Sequence, residues 1–142
     1  MNNKKQSRFK KIWCCNCNKE VWTILTKGKV LYPHIKDIQD KPFWQCKACK
    51  GVVGCHPEDR YNKPLGTIPT PRIKKARKEI HKILDPLWKN AKRSSKKRSA
   101  LYSELSRYLG YEFHTGEISC IEEAKKIYRF VKNELVPNHT SK

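Results

Sequence analysis

Two short stretches, Cys14-Cys15-Asn16-Cys17 and Cys46-Lys47-Ala48-Cys49, decide how this chain is read. Each sets two cysteines three positions apart, and 28 residues lie between the pairs. A tight turn of that length brings two thiolates about 3.5–4 Å apart, the edge of a tetrahedron with ~2.3 Å metal–sulfur bonds. Four such thiolates suit one structural zinc ion, so Cys14, Cys17, Cys46 and Cys49 are the expected ligands. Cys15 lies in the same first turn and can replace Cys14, although only Cys14 repeats the two-residue spacer of the second pair. Cys55 and His56 follow the second pair closely enough to compete for a place. Cys120 reads as a small core residue. Asn18 and Gly51 come just after the two turns, and both tolerate the left-handed backbone such turns often need.

Working outward, the segment between the pairs has the texture of short strands. Glu20 to Thr26 alternates, Lys27-Gly28-Lys29 reads as a hairpin turn, and Val30-Leu31-Tyr32 reads as the returning strand. Pro33 and Pro42 bracket a loop, Phe43-Trp44-Gln45 forms a third strand and Val52-Val53 a fourth. A zinc ribbon over residues 12–56 is the expectation, preceded by a disordered basic arm over 1–11. Residues 57–71 form a proline-rich connector.

Beyond it the period becomes helical, and a helical segment is expected over 72–136. Thr70-Pro71 supplies a cap and a proline at the first helical position. Ile73, Ala76, Ile80, Ile83, Leu84 and Leu87 then recur on one face, with Pro86 forcing a kink or a restart capped by Asp85. A second helix starts at Ser94 or Ser95, buries Leu101, Leu105, Tyr108 and Leu109, and stops at Gly110. A third starts at the Ser119/Glu122 capping box, buries Ile121, Ala124, Ile127, Tyr128, Val131 and Leu135, and ends at Pro137. Residues 137–142 read as a flexible tail. The fold class is therefore α+β: a small ribbon of antiparallel strands followed by three helices.

Charge narrows the function. The 142 residues hold 32 Lys and Arg against 13 Asp and Glu, a formal net charge of +19. The surplus is +9 through Pro71 and +10 beyond it, so the whole chain is basic. Such a field attracts polyanions, above all nucleic acid, and makes an enzyme for neutral small molecules a poor match. The residues expected to meet phosphate are Lys10 and Lys11 in the arm, Arg72, Lys74, Lys75 and Lys78 in the first helix, and Lys92, Arg93, Lys96, Lys97 and Arg98 leading into the second. Arg77 decorates the first helix as well. These clusters position a protein on a backbone and do not read sequence. Trp13, Trp22, Trp44, Tyr32, Phe43 and Trp88 can stack on unpaired bases or fill the core. With so few other large apolar groups in the ribbon, core is the expectation for most of them.

No catalytic residue is assigned. Four thiolates close a zinc site, and His34, His56, His81 and His114 stand in no recognisable catalytic arrangement, so a nuclease ranks behind the non-enzymatic readings. No apolar run spans a membrane, and the basic N-terminus lacks the apolar stretch of a signal peptide. The cysteine usage suits a reducing cytoplasm.

The ordered series Cys14-x-x-Cys17, Phe43-Trp44-Gln45-Cys46-x-x-Cys49, Val53-Gly54-Cys55-His56-Pro57, Pro64-Leu65-Gly66-Thr67, Asp85-Pro86-Leu87-Trp88-Lys89, Leu109-Gly110 and His114-Thr115-Gly116 resembles the zinc-finger-containing domain family of unknown function found in phages and prophages. The resemblance spans about residues 14–131 and implies a four-cysteine finger joined to a helical part, encoded by a phage and located in the host cytoplasm. It departs from the family at Cys15 and Lys47, where proline is usual, and it implies no reaction. Two functions follow as expectations: a nucleic-acid-binding protein, or an interaction protein docking onto host transcription, translation or defence machinery.

Overall fold

A computed structural model describes residues 8–139. The chain divides at Thr70 into two units, Met1–Thr70 and Pro71–Lys142.

The first unit is a four-stranded antiparallel sheet in the order β1-β2-β3-β4, with β1 Phe9–Cys14, β2 Lys19–Lys27, β3 Pro42–Cys46 and β4 Val52–Gly54. Strict alternation decides its two faces. Ile12, Cys14, Val21, Thr23, Trp44, Cys46 and Val53 point inward and are buried. Thr23 is tolerated there because its hydroxyl donates to the Lys10 carbonyl at 2.7 Å. Trp44 is fully buried and its indole N–H donates to the Asn62 carbonyl at 2.7 Å.

Three expectations change in this unit. Residues 9–11 are not part of a disordered arm: Phe9, Lys10 and Lys11 pair with Ile24, Thr23 and Trp22. Basic composition masked a strand whose partner supplies the ladder. The remainder of the arm, residues 1–7, lies outside the described residues. Secondly, Val30-Leu31-Tyr32 is not a strand, because Gly28–Leu31 is a helical turn, α1. The Gly28 N–H donates to the Lys41 carbonyl at 2.9 Å and the Lys29 N–H to the Gln39 carbonyl at 3.0 Å. A Cβ on Gly28 would meet the Ile38 carbonyl oxygen at 1.7 Å, so only glycine permits this close approach. The excursion closes with β2 beside β3. Thirdly, the proline-rich segment belongs to the ribbon's core. Ile68 is fully buried, its N–H donates to the Trp13 carbonyl at 2.9 Å, and its carbonyl accepts from Cys15 N–H at 2.8 Å. Cys55 and Pro64 form a second isolated bridge.

The second unit holds α2 Pro71–Leu84, α3 Pro86–Lys89, α4 Ser94–Leu109, α5 Ile121–Phe130 and α6 Val136–His139. Its core joins Ile80 and Leu84 of α2 with Leu101 and Leu105 of α4, Phe113 and Ile118 between helices, and Ala124, Ile127, Val131 and Leu135 toward the C-terminus. Gly110 ends α4 in the left-handed conformation, φ 83°. Tyr108 is exposed rather than buried, and its ring stacks on Phe130 with centroids 4.0 Å apart.

One proline reading is refined and another needs correction. The helix restarts at Pro86 with Asp85 in the cap position, as expected, but Asp85 keeps helical angles and makes no side-chain cap bond. Its N–H still donates to the His81 carbonyl at 2.9 Å, and its carboxylate meets His81 Nδ1 at 3.0 Å, ties that hold it against the usual pre-proline bias. Pro137 does not begin a flexible tail. Val131–Leu135 widens into a π turn, and α6 continues to His139. There Lys97 Nζ lies 2.7 Å from His139 Nδ1 and His139 Nε2 lies 3.0 Å from a Glu104 oxygen, anchoring the end. Helix α5 starts two residues after Ser119, at Ile121, with Cys120 as its cap residue, and Glu123 rather than Glu122 accepts from the Ser119 N–H, at 3.3 Å.

Candidate metal centre

The two knuckles are the turns after β1 and β3, and they converge because both strands flank β2. Cys14 and Cys46 end their strands pointing into the core, and Cys17 and Cys49 complete the turns. All four sulfurs lie within 4.8 Å of one another, with Cys14 Sγ 3.5 Å from Cys49 Sγ and Cys17 Sγ 3.8 Å from Cys46 Sγ. A tetrahedron with ~2.3 Å zinc–sulfur bonds has edges of about 3.8 Å, so the cluster is already near ligand geometry. Among the described residues no other group of three or more His, Cys, Asp or Glu side chains gathers in this way.

The backbone supports thiolates. Asn18 and Lys50 take positive φ, 56° and 67°, at the same position after each knuckle. Lys50 therefore carries the left-handed turn expected of Gly51. Glycine is needed at 51 for a different reason: a Cβ there would meet Asn16 Nδ2 at 2.8 Å and Ile68 Cγ2 at 3.0 Å. The Gly51 N–H donates to Cys49 Sγ at 3.3 Å and the Cys49 N–H points to Cys46 Sγ at 3.5 Å. Burial raises Cys14 to about 12, only partly offset by the N–H groups of Cys17 and Asn16. Burial opposes ionisation of Cys46 too, yet the N–H groups of Cys49 and Ala48, with the Cys49 and Cys17 thiols, bring it down to about 7. Zinc takes thiolates and displaces their protons, and the soft donor set suits it.

The competing ligands stand apart from the cluster. Cys15 Sγ turns to the Thr67 hydroxyl at 3.7 Å. Cys55 is held near Trp44 and Asp59, where burial and then the Asp59 carboxylate push its thiol up to about 11. Cys120 is exposed instead of core. The four cysteines fit one structural Zn²⁺, with four thiolates leaving no open coordination position.

The basic residues are distributed over both units. Lys10 and Lys11 lie on β1, Arg72, Lys74, Lys75 and Lys78 are exposed on α2, and Lys92, Arg93 and Lys96 are exposed before and at the start of α4. Three other cations are engaged. Arg77 Nε and Nη2 donate to the Ile118 carbonyl at 3.0 and 2.6 Å, so it braces the helical core. Lys97 meets His139, and Arg98 lies over Tyr102 and Trp88, 4.1 and 5.6 Å from their centroids. Of the six aromatics named from the sequence, Trp44 is fully buried, whereas Trp13 and Trp22 are exposed. Composition misplaced these two, although the period-2 alternation with Ile12, Cys14, Val21 and Thr23 carried the signal. No helix of the described residues is long and apolar enough to cross a membrane.

No curated protein and no solved structure matches the chain. Residues 7–134 match the family described as zinc-finger-containing domain, a stretch that takes in both knuckles and all of the helical core but Leu135. With its four thiols gathered at one point of an antiparallel ribbon, the chain belongs to the zinc-finger-containing domain family.

Proposed function

We propose that this chain is a small, phage-encoded, non-enzymatic nucleic-acid-binding protein of the host cytoplasm, in which zinc holds the ribbon and exposed cations contact phosphates. The observation that carries the reading is the placement of cations where folding disfavours them. Neither α2 nor α4 has an acid in its first turn. Arg72 and Lys74 begin α2, and Lys92, Arg93 and Lys96 gather at the start of α4. A helix N-terminus favours anions by about 0.3–1 kcal/mol each, so these residues act against their own helices unless a polyanion sits there. The phage origin rests on the resemblance of the ordered motifs, and the cytoplasm on seven cysteines suited to a reducing compartment.

The test is a titration of labelled duplex and single strands between 50 and 200 mM salt. Neutralising about six phosphates gives a log–log slope near −5 on duplex. Binding that persists at 200 mM supports the reading. No binding at 50 mM overturns it in favour of docking onto a host protein, which a nuclease-treated pull-down then identifies.

A further inference from the structure

The alternation that fills the ribbon's core leaves an unusual opposite face. Phe9, Lys11 and Trp13 of β1 share it with Glu20, Trp22 and Ile24 of β2, since paired residues point the same way. Trp22 is 56% exposed, Phe9 47%, Trp13 39% and Ile24 37%. Trp13 pairs with Glu20, which makes Trp22 its diagonal neighbour, within reach across the strands. Lys11 Nζ lies 5.4 Å from the Trp22 ring centroid, and Lys47 Nζ lies 5.3 Å from that of Phe9. Glu20 is the one acid among the six strand residues of this face.

We propose that this outward face is a stacking platform for single-stranded nucleic acid, with Trp22 and Trp13 receiving bases while Lys11 and Lys47 meet the adjoining phosphates. The inference rests on the nucleic-acid reading above and names the form bound and the surface used. The chemistry selects the occupant. Exposed flat rings offer π-faces, and the ammonium groups beside them call for a partner that alternates planar rings with negative charge. An unpaired strand presents both at once. A duplex hides its base faces, and an apolar protein partner would have to desolvate the lysines.

The experiment uses the full zinc-loaded chain with labelled unpaired 12-mers of deoxythymidine or uridine and a 12-bp duplex, at 50 and 150 mM salt. Trp22→Ala and Trp13→Ala are each expected to weaken single-strand binding roughly five- to hundredfold, with duplex affinity within about twofold. Trp22→Phe should retain most of the affinity because it keeps a ring. Lys11→Gln with Lys47→Gln should flatten the salt slope for the single strand by about one to two. Zinc content and the circular-dichroism spectrum of each variant report that the fold persists. Equal losses on duplex and single strand, or no loss on either, overturn the platform while leaving nucleic-acid binding in place. Failure of the unmodified chain to bind either form at 50 mM overturns both. Loss in the tryptophan variants of a protein partner that survives nuclease treatment also overturns the platform.

Discussion

Cys15 and Cys14 are adjacent in sequence yet have different partners: Cys14 joins the four-sulfur cluster and Cys15 faces the Thr67 hydroxyl. Substitution separates them. Cys46→Ser and Cys14→Ser should each abolish stoichiometric zinc, read by elemental analysis, whereas Cys15→Ser should leave it near one per chain. Zinc retained in Cys14→Ser and lost in Cys15→Ser would reverse the assignment. A second consequence concerns Cys55. Its thiol is raised to about 11, so at pH 8 the folded chain holds far less Cys55 thiolate than the unfolded chain. Alkylation by iodoacetamide at pH 8 should therefore be at least about tenfold slower at Cys55 in the folded protein, while exposed Cys120 labels readily. The sign for stability follows: the neutral thiol is favoured by folding below the ordinary thiol range, and this preference is lost as pH rises from about 9 toward 11. Mass spectrometry of labelled peptides decides the reactivity, and equal rates at Cys55 and Cys120 would refute it.

At the scale of elements, the cationic stretch before and at the start of α4 contributes little to its own helix. Replacing Lys92, Arg93 and Lys96 by glutamine should leave the melting temperature unchanged or slightly raised, since exposed like charges at a helix start are unfavourable. The same variant should flatten the salt slope of nucleic-acid binding by about two to three. A fall of several degrees in melting temperature would show that these side chains stabilise the fold instead. The elements themselves were unevenly legible. Helical runs such as Ile73-Ile80-Leu84 and Leu101-Leu105 are periodic, and Gly110 stops the second of them, so their existence and faces follow from spacing. The knuckles follow from cysteine spacing. Strand β1 was hidden because Lys10 and Lys11 read as tail, and only pairing with Trp22 and Thr23 makes them a ladder. Helical turn α1 depends on Gln39 and Lys41 carbonyls ten and thirteen residues beyond their donors, which no local pattern announces. Trp13 and Trp22 were misjudged for the opposite reason: bulk suggested burial, but their parity along the strand places them outside.

For the whole molecule, two separate apolar clusters imply two separate responses to metal removal. The ribbon's cluster includes Cys14 and Cys46 themselves, beside Ile12, Val21, Trp44, Val53 and Ile68. The helical cluster contains no cysteine. Structural zinc is worth on the order of 10–16 kcal/mol near neutral pH, as much as a small domain's total stability. Chelation should therefore unfold the ribbon, shifting Trp44 emission to the red, while most helical circular dichroism remains. Loss of the helical signal in the same transition would show that the helices depend on the metal as well. Acidification acts in the same direction, because protons compete for the thiolates that zinc requires.

The bridge between Cys14 and Ile68 has a consequence for how the chain is made. Ribosomes add about 5–20 residues per second, so roughly 3–10 s separate the synthesis of Cys17 from that of Ile68. Throughout that interval the first knuckle lacks the Ile68 bridge that covers it and, for most of it, the second pair of sulfurs. The nascent ribbon is thus a basic segment with uncommitted thiols, held open until its last core residue leaves the exit tunnel.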